Sequence, residues 1–441
     1  MDSINQILIV GGGAGGIATA TSLLKRNRSL EITIIEPSDD HYYQPGWTMV
    51  GAGIFNKEET RRDTISVWPS GVKRIKGSVT KFEPEQNLVT LSDGSSLKYK
   101  ILLVACGLKL DWEAIEGLTE TLGQNGVTSN YRYDLAPYTW KLVQEMKGKE
   151  AIFTQPAMPI KCAGAPQKAM YLSCDHWLKN SQLDEMNISF CNAGPVLFGC
   201  APYVPPLMEY VKKYKINLDF GHNLVKIDGA NKTAWFKVNK EDSEAEVIEK
   251  KFDMIHVCPP QCAPDFIKSS SISNEGGWVD VNQATLQHTK FPNIFGIGDV
   301  TSTPNAKTAA AVRKQAPIVA SNIMAVLAGD NPKPEYDGYG SCPLTVEKGK
   351  IILAEFGYGG KVMPTFPWDS TKPRRLAWIL KKSILPAVYW NVMLKGCLLY
   401  TSDAADDSLR VDLGGRRIIK KSHASRAPAF GFFSSRRRHT R

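Results

Sequence analysis

Residues 6–16, QILIVGGGAGG, constrain this chain more than any other stretch. Gln6 to Val10 is a short apolar run of the kind that forms a buried parallel strand. Gly11, Gly13 and Gly16 then give G-x-G-x-x-G, residues 17–26 suit a helix, and residues 31–36 (EITIIE) supply the next strand. The glycines have distinct mechanical roles, allowing a tight turn, close approach of backbone to a pyrophosphate, and close helix–strand packing. The helix start offers unpaired N–H groups and positive dipole to phosphates. Glu36, 20 residues beyond Gly16, ends the second strand, where a carboxylate can accept from a ribose diol. A Gly-rich surface turn also reads G-x-G-x-x-G, but it does not bring strand, helix, second strand and terminal carboxylate into register. The stretch predicts a dinucleotide site.

At 441 residues the chain has room for two or three domains, and its 43% hydrophobic and 22% charged content is that of a globular protein. The net charge of +10 does not argue for a polyanion partner. Residues 397–441 hold ten Lys or Arg against four Asp, leaving +4 for residues 1–396, so no nucleic-acid partner is expected. None of the nine cysteines forms C-x-x-C. Cys258 and Cys262 lack a second Cys or His pair to complete a tetrahedral site, so no metal is expected either. No run reaches the roughly 20 apolar residues needed to span a bilayer. No leader precedes the first strand; either the protein works where it is made or a leader is missing from this sequence.

Residues 40–53 (DHYYQPGWTMVGAG) form an aromatic-rich loop that could close over a planar ring system, or simply pack through Tyr42, Tyr43 and Trp47. Residues 72–105 read as short strands, with a hairpin signal at Asp93-Gly94. Residues 101–105 (ILLVA) lead to Cys106-Gly107, resembling the strand that returns under the cofactor in flavoproteins with two dinucleotide folds; Cys106 is read as a small buried residue. A second α/β unit follows over about 111–275, with strands at 150–154 and 187–192. They lead into QPAMPIKCAGAPQ and AGPVLFGCAP, neither of which carries a phosphate loop, so a nicotinamide donor is not expected. Residues 291–300 (FPNIFGIGDV) read as a strand ending in Gly298-Asp299, followed by a helix over 306–316 with Lys307 in its first turn. A strand-terminal Asp beside a helix start suits the ribityl chain and pyrophosphate of FAD, although an Asp helix cap would look the same. With the first fingerprint, it resembles the two-dinucleotide-binding flavoprotein superfamily.

Two cysteines narrow the resemblance. Cys162 lies in PIKCAGAPQK and Cys342 in YDGYGSCPL, 180 residues apart, each followed by small residues or proline. By themselves they read as structural or free thiols rather than a reactive pair, although Lys161 beside Cys162 could favour the thiolate. Yet HYYQPGW, KCAGAPQK, GWVDV with LQH, FGIGD, AKTAAAV, GYGSCPL and ILAEF, in this order, closely resemble the sulfide:quinone oxidoreductase family of the mitochondrial and related bacterial type, over about residues 5–396. The resemblance implies a redox-active disulfide between Cys162 and Cys342 beside FAD, attack by hydrosulfide, and a persulfide on Cys342 with Cys162 released as a thiolate. The sulfane sulfur would pass to a small acceptor such as glutathione or sulfite, and the electrons to a quinone. It further implies that Ala14, Gly15, Val79, Glu36, Gln44 and Lys307 contact FAD, alongside Gly11, Gly13, Gly16, Gly107 and Asp299.

Residues 364–394 hold Phe366, Trp368, Trp378, Tyr389 and Trp390 interleaved with Arg374, Arg375, Lys381 and Lys382. That pattern suits a face lying in the headgroup region of a membrane, or an amphipathic helix docked on the core. After Gly396 the family pattern stops; residues 397–441 read as non-native sequence, which would leave the membrane anchor incomplete. The expected architecture is α/β with two Rossmann-like (FAD/NAD(P)-binding type) domains, the first discontinuous, and a C-terminal membrane-facing region. Its parts are 1–110 and 276–330 for the FAD-binding domain, 111–275 for the second Rossmann-like domain, and 331–396 for the quinone and interface region. The resemblance also implies a peripheral protein of the mitochondrial inner membrane or, for a prokaryotic source, of the cytoplasmic membrane. A sulfide dehydrogenase subunit serving a cytochrome, a type-II NADH dehydrogenase and a degenerate flavoprotein acting as an interaction partner are the alternatives.

Overall fold

A computed structural model describes residues 4–238, 245–333 and 335–397. The first sheet contains β1 (Asn5–Val10), β2 (Ile32–Ile35), β3 (Val72–Ile75), β4 (Val79–Glu83), β5 (Leu88–Leu91) and β6 (Ser96–Val104), in the order β3-β2-β1-β6-β5-β4. Its centre is parallel, with Ile7 facing Ile32 on one side and Ile101 on the other. Such strands are covered on both faces, which is why residues 7–10 of β1 run apolar without alternation and β2 is buried at every position. The Asp93-Gly94 signal falls in the turn from β5 to β6, where Gly94 has φ +85.

The second sheet is wholly parallel. It contains β7 (Val127–Thr128), β8 (Glu150–Gln155), β9 (Asn187–Asn192), β10 (Asn217–Phe220) and β11 (Met254–His256), in the order β7-β11-β8-β9-β10. The chain then returns to the first sheet through β12 (Ile294–Gly296), which pairs with β6 on the side away from β1. A hairpin of β13 (Gly340–Glu347) and β14 (Lys350–Phe356) follows, with Cys342 opposite Ala354.

Three helices position the site: α1 (Ala14–Arg26) after β1, α2 (Ala165–Lys179) after β8, and α3 (Ala309–Ala328), which lies along α1. The helix expected at 306–316 starts only at Ala309, with Thr308 as its cap accepting from the Ala311 N–H at 3.2 Å. Lys307 sits ahead of it because its carbonyl accepts from the Cys162 N–H at 2.9 Å, tying the two sheets' loops together. The strand expected over 291–300 is confined to β12, and Asp299 falls in the turn Gly298–Val300, which Gly298 enters at φ +76. Beyond β14, residues 375–393 form a helical stretch that alternates α turns with π turns. Residues 398–441, read above as non-native, lie outside the described residues.

Candidate active site

The loop after β1 is shaped for close approach. Gly11 has φ +104, and a Cβ on Gly16 would stand 2.0 Å from the Gly11 oxygen, so only glycine lets α1 pack this closely on β1. Gly13 has no neighbour within 4 Å of its Cβ position, and no side chain caps the helix at this end. The N–H groups at Ala14, Gly15 and Gly16 therefore begin a helix facing open space, as a phosphate requires. Glu36 is fixed at the end of β2 by the Gly12 and Ser38 N–H groups, each donating to its carboxylate at 2.7 Å. Gly12 was not singled out in the sequence, although it lies inside the fingerprint. Val79 follows four residues after Ile75, whose carbonyl accepts from the Glu36 N–H at 3.0 Å. Gly107 leaves β6 at φ +73, again with open space at its Cβ.

At the other end, no hydrogen bond among the described residues reaches the carboxylate of Asp299, and burial pushes its pKa up. The buried Lys307 ammonium donates to the Asp299 and Thr301 carbonyls at 2.8 Å each and lies 4.1 Å from the Trp278 ring centre. Burial draws its pKa down to about 8. An uncapped helix start, a cradle around Gly13 and a half-buried carboxylate with no hydrogen bond among the described residues fit a dinucleotide with a polyol arm.

Cys162 occupies the turn from β8 to α2, the position where a dinucleotide fold would place its phosphate loop. Its φ of +50 is left-handed, uncommon for a residue with a side chain and costly unless the surroundings enforce it. They do: its N–H donates to Lys307, and its carbonyl accepts from Ala165 at 2.7 Å in the opening turn of α2. The Cys162 and Cys342 sulfurs are thereby 3.8 Å apart, from opposite ends of 180 residues.

The cation on this pair is not Lys161, whose ammonium instead donates to Gln44 at 2.6 Å. It is Lys168, in the first turns of α2, with Nζ 3.0 Å from the Cys162 sulfur and 3.8 Å from that of Cys342. The hydrogen bond from Cys342 holds the Cys162 thiol well below its usual range; burial opposes this and the Lys168 charge adds to it. Cys342 moves the other way, because it donates that hydrogen bond and is buried. Lys168 is only 2% exposed, yet the two sulfurs outweigh burial and keep it charged. Its one sequence signal was its place in KCAGAPQK, six residues after Cys162.

Lys381, expected as a surface base, is also buried and donates to the Pro45 carbonyl at 2.9 Å. Burial, then the Lys168 charge, lowers its pKa to about 7. Two aromatics of this C-terminal stretch likewise turn inward, Tyr389 and Trp390 being buried against His41 and Tyr43, whereas Phe366, Trp368 and Trp378 are half-buried. Those partners explain the difference from an aromatic outer face. The exposed large apolar side chains of the stretch are aliphatic, with Leu376 62%, Ile379 50% and Ile384 48% exposed. No described helix is long and apolar enough to cross a membrane.

Residues 5–144 match the pyridine nucleotide-disulphide oxidoreductase family. The chain is 40% identical to the mitochondrial sulfide:quinone oxidoreductase of Mus musculus over 391 residues, 89% of this chain and 86% of that protein. To the mitochondrial sulfide:quinone oxidoreductase of Dictyostelium discoideum it is 42% identical over 399 residues, 90% of this chain and 87% of that protein. The crystal structure of the sulfide:quinone oxidoreductase from Aquifex aeolicus shares the fold at TM-score 0.75 and 21% identity, covering 91% of this chain and 94% of that one. With identity at this level along nearly the whole of both mitochondrial relatives, the chain belongs to the sulfide:quinone oxidoreductase family.

Proposed function

We propose that this protein oxidises hydrogen sulfide at the Cys162–Cys342 pair and passes the electrons, through FAD, to a quinone. One observation carries the reading: two sulfurs from distant parts of the chain meet at 3.8 Å over a buried ammonium, in a protein that also builds a dinucleotide cradle. Closing the pair to a disulfide requires the sulfurs to approach to about 2 Å. Hydrosulfide then attacks Cys342, forming Cys342–S–SH as the bond to Cys162 breaks and Cys162 leaves as a thiolate. Lys168 is placed to hold that charge, which makes Cys162 the better leaving group. A small thiol or sulfite takes the outer sulfur and leaves Cys342 as a thiolate. Reclosing the disulfide releases two electrons, which bound FAD accepts for delivery to the quinone.

The first fold holds FAD through Gly11, Gly13, Ala14, Gly15, Gly16, Glu36, Val79 and Gly107, and the return segment through Asp299 and Lys307, with Gln44 on the loop beside Lys161. Exposed Leu376, Ile379 and Ile384, flanked by Arg375 and Lys382, suit docking on a membrane surface where a quinone is found. The relatives named mitochondrial support a place in the mitochondrion. The test is an anaerobic spectrum: sulfide should bleach the flavin band and a short-chain ubiquinone should restore it. Failure of sulfide to bleach bound flavin overturns the reading.

A further inference from the structure

The buried imidazole of His41 joins two parts of the molecule that the sulfur chemistry leaves unconnected. Its Nε2 lies 2.7 Å from the Tyr389 hydroxyl, and the backbone of Gly12 is within hydrogen-bonding reach of the same ring. Gly12 in turn donates to Glu36 at 2.7 Å. Around this line His41, Tyr43, Tyr389 and Trp390 pack with ring centres 4.9 to 6.3 Å apart. Arg62 covers the outer side, 4.3 Å from the Trp390 ring. The C-terminal stretch thus meets the segment after β2 through the Tyr389 hydroxyl, which lies 2.7 Å from His41 and 3.5 Å from the Tyr42 carbonyl within an aromatic cluster, and through Lys381 on the Pro45 carbonyl. A buried tyrosine hydroxyl deprived of its acceptor is costly, so the contact fixes where the stretch sits.

We propose that His41 and Tyr389 are a positioning pair that seats the C-terminal stretch against the dinucleotide loop for the quinone half of the reaction. This rests on the quinone reading above. The sulfide half needs Cys162, Cys342 and Lys168, none of which touches the pair. Electrons leaving toward a quinone, in contrast, need residues 375–396 held at a fixed distance from the dinucleotide.

Tyr389→Phe keeps the ring and deletes the hydroxyl. His41→Gln keeps an acceptor near the position of Nε2, whereas His41→Ala removes it. In anaerobic stopped-flow measurements on the flavin-loaded protein, Tyr389→Phe and His41→Ala should slow reoxidation by decylubiquinone about tenfold, the scale of one buried hydrogen bond. Reduction by sulfide should stay within about twofold, and His41→Gln should recover most of the reoxidation rate. Independently of activity, hydrogen–deuterium exchange over 385–396 should rise in Tyr389→Phe and stay unchanged in α2. Equal slowing of both half-reactions, or loss of flavin from Tyr389→Phe, would reduce the pair to general structural support and overturn the proposal. So would unchanged reoxidation and exchange. Wild-type protein that sulfide reduces but decylubiquinone does not reoxidise would instead overturn the quinone reading, and the pair's assigned role with it.

Discussion

The buried Lys168 ammonium, in the first turn of α2, lies 3.0 Å from the half-buried Cys162 sulfur. A buried charge of this kind is tolerable only when paired, and its partner here is a thiolate. Lys168→Met should therefore raise the pH midpoint of Cys162 alkylation in the reduced protein by one unit or more, roughly 1.4 kcal/mol or above. Lys168→Arg should retain most of the depression. An unchanged midpoint in Lys168→Met would show that Cys342 alone sets the thiol's acidity.

Two glycines of the same loop separate folding from binding. Gly16→Ala forces a Cβ to 2.0 Å from the Gly11 oxygen, so the flavin-free protein itself should lose several kcal/mol of stability, about 2–4. Gly13→Ala meets nothing within 4 Å and has an ordinary φ of −75, so the flavin-free protein should melt as the wild type does while FAD affinity falls. Thermal melts with and without FAD distinguish these outcomes.

Glu36 and Asp299 are expected to grip sugar hydroxyls from the two ends of the cofactor. Glu36→Ala and Asp299→Ala should each lower FAD affinity by roughly tenfold to a hundredfold, the loss of ~1.5–3 kcal/mol for a charge-assisted hydrogen bond. Full flavin retention in both variants after gel filtration would contradict the assignment.

Acid should loosen the structure through two buried histidines. Burial lowers His41 and His256 from 6.5 to about 4. The unfolded chain takes up these protons as pH falls below 6.5, while the native state refuses them until about pH 4. Stability therefore falls across that window, by roughly 3 kcal/mol per histidine at its lower end. Denaturant midpoints should decline from pH 6.5 to 4 in the wild type and decline less in His41→Gln.

Much of this was legible in the chain. The β1–α1–β2 unit announces itself because one strand, one turn and one helix satisfy each other locally, and each glycine has a steric duty. Cys162 and Cys342 were singled out by the family resemblance of the motifs around them. Lys168 and Lys381 were not legible, because a lysine paired only through tertiary packing looks in sequence like any solvated base. The inward turn of Tyr389 and Trp390 was hidden for the same reason: their partners, His41 and Tyr43, lie about 350 residues away. The late start of α3 depends on a backbone bond between Lys307 and Cys162 that no local pattern encodes.

The most direct test of the sulfur chemistry is an anaerobic sulfide titration followed in the flavin band. Wild-type protein should bleach, while Cys162→Ser and Cys342→Ser should keep FAD bound and stay oxidised, with the double variant no worse than the worse single one. Cys106→Ser, Cys174→Ser and Cys191→Ser should bleach as the wild type does. Bleaching by sulfide at the wild-type rate in either Cys162→Ser or Cys342→Ser would contradict the disulfide relay.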